Sequence, residues 1–166
     1  MSSPSLLIVG CGQLGKEVGL RLVHQGWRVG AIRRHPPTAD SAFEWFAADY
    51  SDAGSLDFVE AWQPDYILMT PTPTSMDEAG YVAGFPLAVS NLLNGLGGHS
   101  VKHLLMASST RVYAEAAGGW VDEDSPLSAN DPRALAIIEA EGKCLASNHP
   151  ATIVRCGGIY GGESSR

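Results

Sequence analysis

Short runs of apolar and β-branched residues alternate along the chain with longer stretches in which apolar positions recur every three or four residues. That alternation predicts strands joined by crossover helices. Ser5–Gly10 reads as a first strand and Gln13–Gln25 as the helix behind it, with Leu14, Val18 and Leu22 on its apolar face. Gly26 stands just past the last turn, where a glycine commonly ends a helix. Arg28–Arg33 and Glu44–Ala47 read as the second and third strands, Leu56–Trp62 as a short helix. Tyr66–Met69 is the fourth strand, entered through Gln63-Pro64-Asp65. A helix over Tyr81–Leu96, bent near Pro86, precedes a fifth strand at His103–Ala107. After a glycine-rich and acidic loop, Asp131 is placed to cap a helix that begins with Pro132 and reaches Asn148. Ala151–Arg155 is the sixth strand.

This succession fits an α/β fold with three layers, α/β/α: one doubly wound parallel sheet of order 3-2-1-4-5-6. The chain has 166 residues, enough for one domain with a sizeable core. A content of 45% hydrophobic and 17% charged residues is that of a globular protein. The net charge of -7 disfavours nucleic acid and anionic lipid as partners. No apolar run has the length of a membrane span, and the start of the chain lacks the basic region of a signal peptide. Cys11, Cys144 and Cys156 are odd in number and lack C-x-x-C spacing, so reduced thiols and a cytoplasmic location are expected. His99 and His103 flank a loop-to-strand junction, where their spacing does not put them on one face, and no metal site is expected there.

The chemistry concentrates at the end of the first strand. Gly10-Cys11-Gly12-Gln13-Leu14-Gly15 follows a strand and opens a helix, the context in which G-x-G-x-x-G binds a dinucleotide in a Rossmann fold. Gly10 permits the tight turn, Gly12 lets a pyrophosphate approach the backbone, and Gly15 lets helix and strand pack closely. The amide-rich helix start then faces the phosphates. At the end of the second strand an acidic residue would favour NAD; the chain has Arg33-Arg34 instead, which suits a 2′-phosphate. NADP is therefore favoured over NAD, against the alternatives that both arginines are merely solvated or that Asp40 reaches the ribose. Asp49 after the third strand is placed to accept from the adenine amino group or to cap a turn. Thr70, directly after the fourth strand, is a further candidate cofactor contact.

Three more segments carry a family likeness. Leu104 to Tyr113 holds an S-S-x-x-V-Y pattern, Trp120 to Pro126 an x-V-D-E-x-x-P pattern, and Arg155 to Gly161 an R-x-x-x-I-Y-G pattern. With the glycine fingerprint, these resemble the extended short-chain dehydrogenases/reductases, the NAD-dependent epimerase/dehydratase group, and most of all an atypical, YeeZ-like branch. The resemblance implies an NAD(P)-dependent epimerase, dehydratase or reductase acting on a nucleotide sugar or similar hydroxylated small molecule. It implies chemistry by a serine or threonine, a tyrosine and a lysine. Ser109 matches the hydroxyl position, with Thr110 beside it. The Y-x-x-x-K pair has no counterpart: with Glu141 anchoring the register its two positions hold Arg133 and Ile137, a shift by two residues gives Asp131 and Leu135, and both registers lose the pair. Lys143 lies six residues beyond Ile137 and points elsewhere on the helix.

Relatives also carry a C-terminal portion that forms much of the substrate pocket, and this sequence stops at Arg166 without it. A fragment, a shortened product or the loss of that lobe are the readings. Their dimers pack two helices per subunit, matched here by Tyr81–Leu96 and Pro132–Asn148, so a homodimer is expected. Functional expectations are thus a cofactor-dependent oxidoreductase or epimerase, a non-catalytic, redox-sensing dinucleotide module, or a remnant that folds without function.

Overall fold

In a computed structural model, which describes residues 3–38 and 42–160, six parallel strands form one sheet of order β3-β2-β1-β4-β5-β6. The strands are β1 (Ser5–Val9), β2 (Arg28–Arg33), β3 (Glu44–Ala47), β4 (Tyr66–Met69), β5 (His103–Ser109) and β6 (Ala151–Cys156). The helices are α1 (Gln13–His24), α2 (Phe58–Trp62), α3 (Glu78–Val82), α4 (Ala88–Gly95) and α5 (Pro132–Leu145). Strand order reverses at β1, which is buried along its whole length and pairs with β2 on one side and β4 on the other. Val9 lies opposite Ile32 and Met69. The chain therefore leaves the sheet at one common edge at Gly10, Arg33 and Thr70, where a doubly wound sheet opens a crevice for ligands.

One core joins the sheet to α2, α3, α4 and α5 through Leu7, Val9, Ile67, Met69, Leu104 and Met106. The opposite face carries α1 over Ile8, Ala31 and Leu68. The contact face of α1 differs from the expected one. Leu14 is 37% exposed, whereas Gly15 and Gly19 are the buried residues of the helix. A Cβ at Gly15 would lie 2.8 Å from Ile8 Cγ2, and one at Gly19 would lie 2.7 Å from Phe43 Cζ. The helix thus rests on the sheet through its glycines, and Val18 and Leu22 pack half-buried beside them.

Several helices also depart from their expected limits: α2 starts at Phe58 rather than Leu56. The helix expected from Tyr81 begins at Glu78, because the Asp77 carboxylate accepts from the Gly80 amide at 2.8 Å and caps it. The expected bend at Pro86 is a π-helical turn over Ala83–Leu87. Proline has no amide to donate and its ring crowds the preceding turn, so the helix widens there rather than breaking. β5 runs on to Ser109 and α5 stops at Leu145. Asp131 caps α5 as expected, accepting from the Arg133 amide at 3.0 Å. Asp40, Gly161 and Gly162 lie outside the described residues.

Cys11 and Cys144 are buried, and Cys156 is partly exposed on the edge strand. Burial, assisted by the nearby Glu141 charge, pushes the Cys144 thiol up to about 11. In a native-state thiol titration Cys156 is expected to react while Cys11 and Cys144 react only on unfolding. Rapid reaction of more than one thiol in the folded protein would contradict this packing.

Candidate functional site

At the common edge of β1, β2 and β4 lies a cavity of about 250 Å³. Of the sequence-derived candidates, Gly10, Gly12, Arg33, Arg34, Asp49 and Thr70 line it. Gln13 and Leu14 are exposed in the first turn of α1, and Gly15 is buried beneath that turn. Ser109 lies apart from this cavity, at the end of β5.

The turn after β1 is built for close approach. Gly10 has φ +83°, in the left-handed region, and a Cβ there would sit 2.8 Å from the Thr70 carbonyl oxygen. The Thr70 hydroxyl donates to the Gly10 carbonyl at 2.5 Å, which ties the ends of β1 and β4 together. Gly12 is different. Its φ is -84°, and a Cβ there would meet no heavy atom within 4 Å. Among the described residues nothing in the folded chain therefore requires glycine at 12. Gly12 is also the N-cap of α1, and no side chain caps the helix. An anion placed at this helix start would meet its first-turn amides. These features fit a dinucleotide pyrophosphate, which would lie over Gly12 with the helix start beneath it.

Arg33 and Arg34 are exposed at the end of β2. Arg33 has no ion-pair partner among the described residues, while Arg34 Nε stands 3.9 Å from Asp49 Oδ2. Burial tends to raise the Asp49 pKa, but hydrogen bonds from the Ser51 hydroxyl and amide, aided by Arg34, outweigh it and hold the carboxyl below the usual range. The hydroxyl donates at 2.7 Å and the amide at 3.0 Å, both to Asp49 Oδ1. Asp49 therefore caps its own turn, and its Oδ2 faces Arg34.

Tyr50 was not singled out by sequence. Its hydroxyl accepts from the Thr72 amide at 3.2 Å, which links the segment after β3 to the loop after β4. Its backbone carbonyl accepts from Asn91 Nδ2 at 3.0 Å. Thr72, set between Pro71 and Pro73, and Thr74 complete that wall of the cavity. An aromatic residue directly after Asp49 was the available signal.

The end of β5 holds a second polar group. The two serines of the S-S-x-x-V-Y segment do different things. Ser108 Oγ donates to Glu141 Oε1 at 2.5 Å, and Ser109 Oγ accepts from the Arg111 amide at 3.2 Å. Glu141, 3% exposed, accepts from Arg155 Nη2 at 2.8 Å and from its Nε at 3.1 and 3.2 Å. The guanidinium also lies 5.1 Å from the centre of the Tyr113 ring. The Glu141 carboxylate pushes the Arg155 pKa further up. The sequence pointed to Glu141 and Arg155 separately, but nothing in it paired them.

On α5, Arg133 lies with its guanidinium carbon 5.7 Å from the centre of the Tyr81 ring. Ile137 is 1% exposed and belongs to the core. Lys143 pairs with Glu139 at 3.4 Å, one turn away on the same helix. Among the described residues no helix is long and apolar enough to cross a membrane.

A family model for the NAD dependent epimerase/dehydratase family matches residues 6–166. The chain belongs to that family. A solved protein from Methylobacillus flagellatus, described as an NAD-dependent epimerase/dehydratase, is 31% identical, with TM-score 0.79 over 96% of this chain and 56% of its own. An epimerase structure from Burkholderia cenocepacia J2315 is 22% identical, with TM-score 0.81 over 99% of this chain and 57% of its own. UDP-glucuronic acid 4-epimerase from Bacillus cereus, solved with NAD, is 20% identical, with TM-score 0.79 over 97% and 58%. The latter two likenesses concern the fold. The chain thus spans 56–58% of the length of these relatives. No curated protein matches it.

Proposed function

We propose that this member of the epimerase/dehydratase family binds a nicotinamide dinucleotide at the edge of β1, β2 and β4, and takes NADP(H) in preference to NAD(H). The observation that carries the reading is one cavity lined by Gly10 and Gly12 together with Arg33 and Arg34. Its volume, about 250 Å³, is below the roughly 300–1,000 Å³ common for small-molecule pockets. It takes the adenosine end of the cofactor, and the nicotinamide end extends along the edge towards Thr70 and Ser109. Two guanidiniums at the end of β2 suit a 2′-phosphate, for which a ribose hydroxyl is a poor substitute.

Following tryptophan fluorescence during titration with NADPH and NADH tests this reading. Wild-type protein is expected to prefer NADPH. Arg33→Ala is expected to weaken NADPH by about tenfold, the value of one charge-assisted hydrogen bond, and to leave NADH unchanged. Equal affinity for both cofactors in wild-type protein would overturn the preference.

Binding without turnover is the form of this function that α5 favours. In the register anchored by Glu141 its two family positions for tyrosine and lysine hold Arg133 and the core residue Ile137, and in the register shifted by two they hold Asp131 and Leu135. A guanidinium does not serve as a base at neutral pH, and a buried isoleucine carries no proton. In this form the chain reports the state of the cofactor to a partner. The second reading is turnover of a nucleotide sugar or related hydroxylated molecule, with Ser109 orienting the substrate. The retained serine at the end of β5 supports it, as does the UDP-sugar epimerase among its structural neighbours. A substrate-dependent change in nicotinamide absorbance separates the two.

A homodimer through α3, α4 and α5 belongs to the same proposal. Val82, Leu87 and Leu135 are 44%, 42% and 43% exposed, which leaves apolar side chains on helices that a second copy would cover. Sedimentation is expected to give a dimer for wild-type protein and a monomer for Leu135→Glu. A monomer at all concentrations for the wild type would contradict it.

A further inference from the structure

We propose that Tyr50 is a positioning residue for the nicotinamide half of the dinucleotide: its hydroxyl holds the Thr72 amide and so fixes the loop after β4 as the wall on which that half lies. This rests on the reading that the cavity binds NADP(H). The loop has few means of fixing itself. Pro71 and Pro73 have no amide to donate. The Thr70 amide donates to the Val9 carbonyl and the Thr74 amide to the Gly80 carbonyl, both at 3.0 Å. That leaves the Thr72 amide, which donates to the Tyr50 hydroxyl at 3.2 Å. The same hydroxyl stands 3.3 Å from Thr72 Oγ1 and 3.4 Å from the Thr72 carbonyl oxygen.

Tyr50 is itself firmly placed. Its backbone carbonyl accepts from the buried Asn91 on α4 at 3.0 Å. Its ring stands against the turn after β1, where a Cβ at Gly10 would lie 3.1 Å from Tyr50 Cε1. The loop also rests on the π-helical turn after α3. A Cβ at Gly84 would overlap the Thr72 carbonyl oxygen and lie 2.7 Å from Pro73 Cα. The loop thus has two supports, and the Tyr50 hydroxyl is the one that reaches it from the cavity lining.

The order of the sheet decides which part of the ligand meets this wall. β2 and β4 flank β1 on opposite sides. With the 2′-phosphate at the end of β2 and the pyrophosphate over Gly12, the second nucleoside comes to the end of β4. A ligand that stops at the adenosine 5′-phosphate does not extend so far. Holding the loop in place before binding spares the ligand the entropy of ordering it. Without the hydroxyl that cost falls on whichever ligand lies against the loop.

The test is titration of wild-type protein and Tyr50→Phe with NADPH and with adenosine 2′,5′-bisphosphate, which keeps the 2′-phosphate and lacks the nicotinamide half. Tyr50→Phe retains the ring against Gly10, so its melting temperature is expected within about 4 °C of wild type. NADPH is expected to bind about fivefold more weakly to the variant, the worth of one neutral hydrogen bond. The bisphosphate is expected to bind both proteins alike. Thr72→Gly, which loosens the same loop and leaves Tyr50 in place, is expected to show the same split and reads the proposal if Tyr50→Phe does not fold. A merely structural role would weaken both ligands equally; that result, or an unchanged NADPH affinity, overturns the assignment. Failure of the underlying reading looks different: wild-type protein would then bind neither ligand.

Discussion

Gly12→Ala is expected to leave the fold standing while removing most of the dinucleotide affinity. A Cβ at position 12 meets nothing in the protein within 4 Å, and the backbone there, at φ -84°, accepts any residue. Alanine is a poorer N-cap than glycine by a margin of about 1 kcal/mol or less, and its lower entropy in the unfolded chain offsets about 0.4–1 kcal/mol of that. The melting temperature should therefore move little. The ligand, in contrast, would meet a methyl group where it approaches the backbone, an overpacking of about 1–3 kcal/mol. That corresponds to affinity weaker by about five- to 150-fold. Gly15→Ala should do the reverse. Its Cβ would lie 2.8 Å from Ile8 Cγ2 and 3.6 Å from Cys11 Sγ, so α1 must lift from the sheet. Melting should fall by several degrees at about 2–4 °C per kcal/mol for a domain of this size. Thermal shift and cofactor titration of the two variants side by side check this. A Gly12→Ala protein that binds NADPH as well as wild type would show that the glycine is only part of a turn.

Glu141→Ala is expected to be the most destabilising single change considered. The Glu141 and Arg155 side chains are 4% and 19% exposed and meet at 2.8 Å. Removing one partner of such a pair leaves the other desolvated and uncompensated, which costs about 3–5 kcal/mol. The remaining exposure of Arg155 puts the loss near the lower end, a fall in melting temperature of roughly 6–12 °C. Ser108 would also lose its acceptor. Adding Arg155→Met to Glu141→Ala should recover part of the loss, because the double variant no longer buries an unpaired charge. Chemical denaturation of the two single variants and the double variant measures the coupling. A loss below about 1 kcal/mol for Glu141→Ala would place the pair among surface ion pairs of little worth.

These two results bear on what the sequence made legible. The order of the sheet could be read because each strand is a short apolar run bounded by turn residues, and the limits of β2, β3 and β4 agree with the reading. The same periodicity placed Val18 and Leu22 against the sheet as found, but it put Leu14 there too and passed over Gly15 and Gly19. Leucines outweigh glycines in any apolar pattern, yet Gly15 and Gly19 make the contact because space, not hydrophobicity, is limiting there. The start of α3 was missed because Asp77 acts through a cap, while Tyr81 carries the apolar signal. At the cavity, Gly10, Gly12, Arg33, Arg34, Asp49 and Thr70 were brought together by the common edge of β1, β2, β3 and β4. A motif with known chain position reveals such residues. Tyr50 could not be found in this way, since its place in the cavity depends on how two loops fold over it. The pairing of Glu141 with Arg155 lay hidden for the same reason: it joins a helix to a strand end and follows no local spacing.

On the proposed function, a 2′-phosphorylated dinucleotide sits on the Gly12 backbone with its 2′-phosphate at Arg33 and Arg34. Phosphorus NMR of NADP with the purified chain in excess observes both groups at once. Both the pyrophosphate and the 2′-phosphate resonances are expected to shift or broaden on adding protein. Resonances that all remain at their free positions would contradict it.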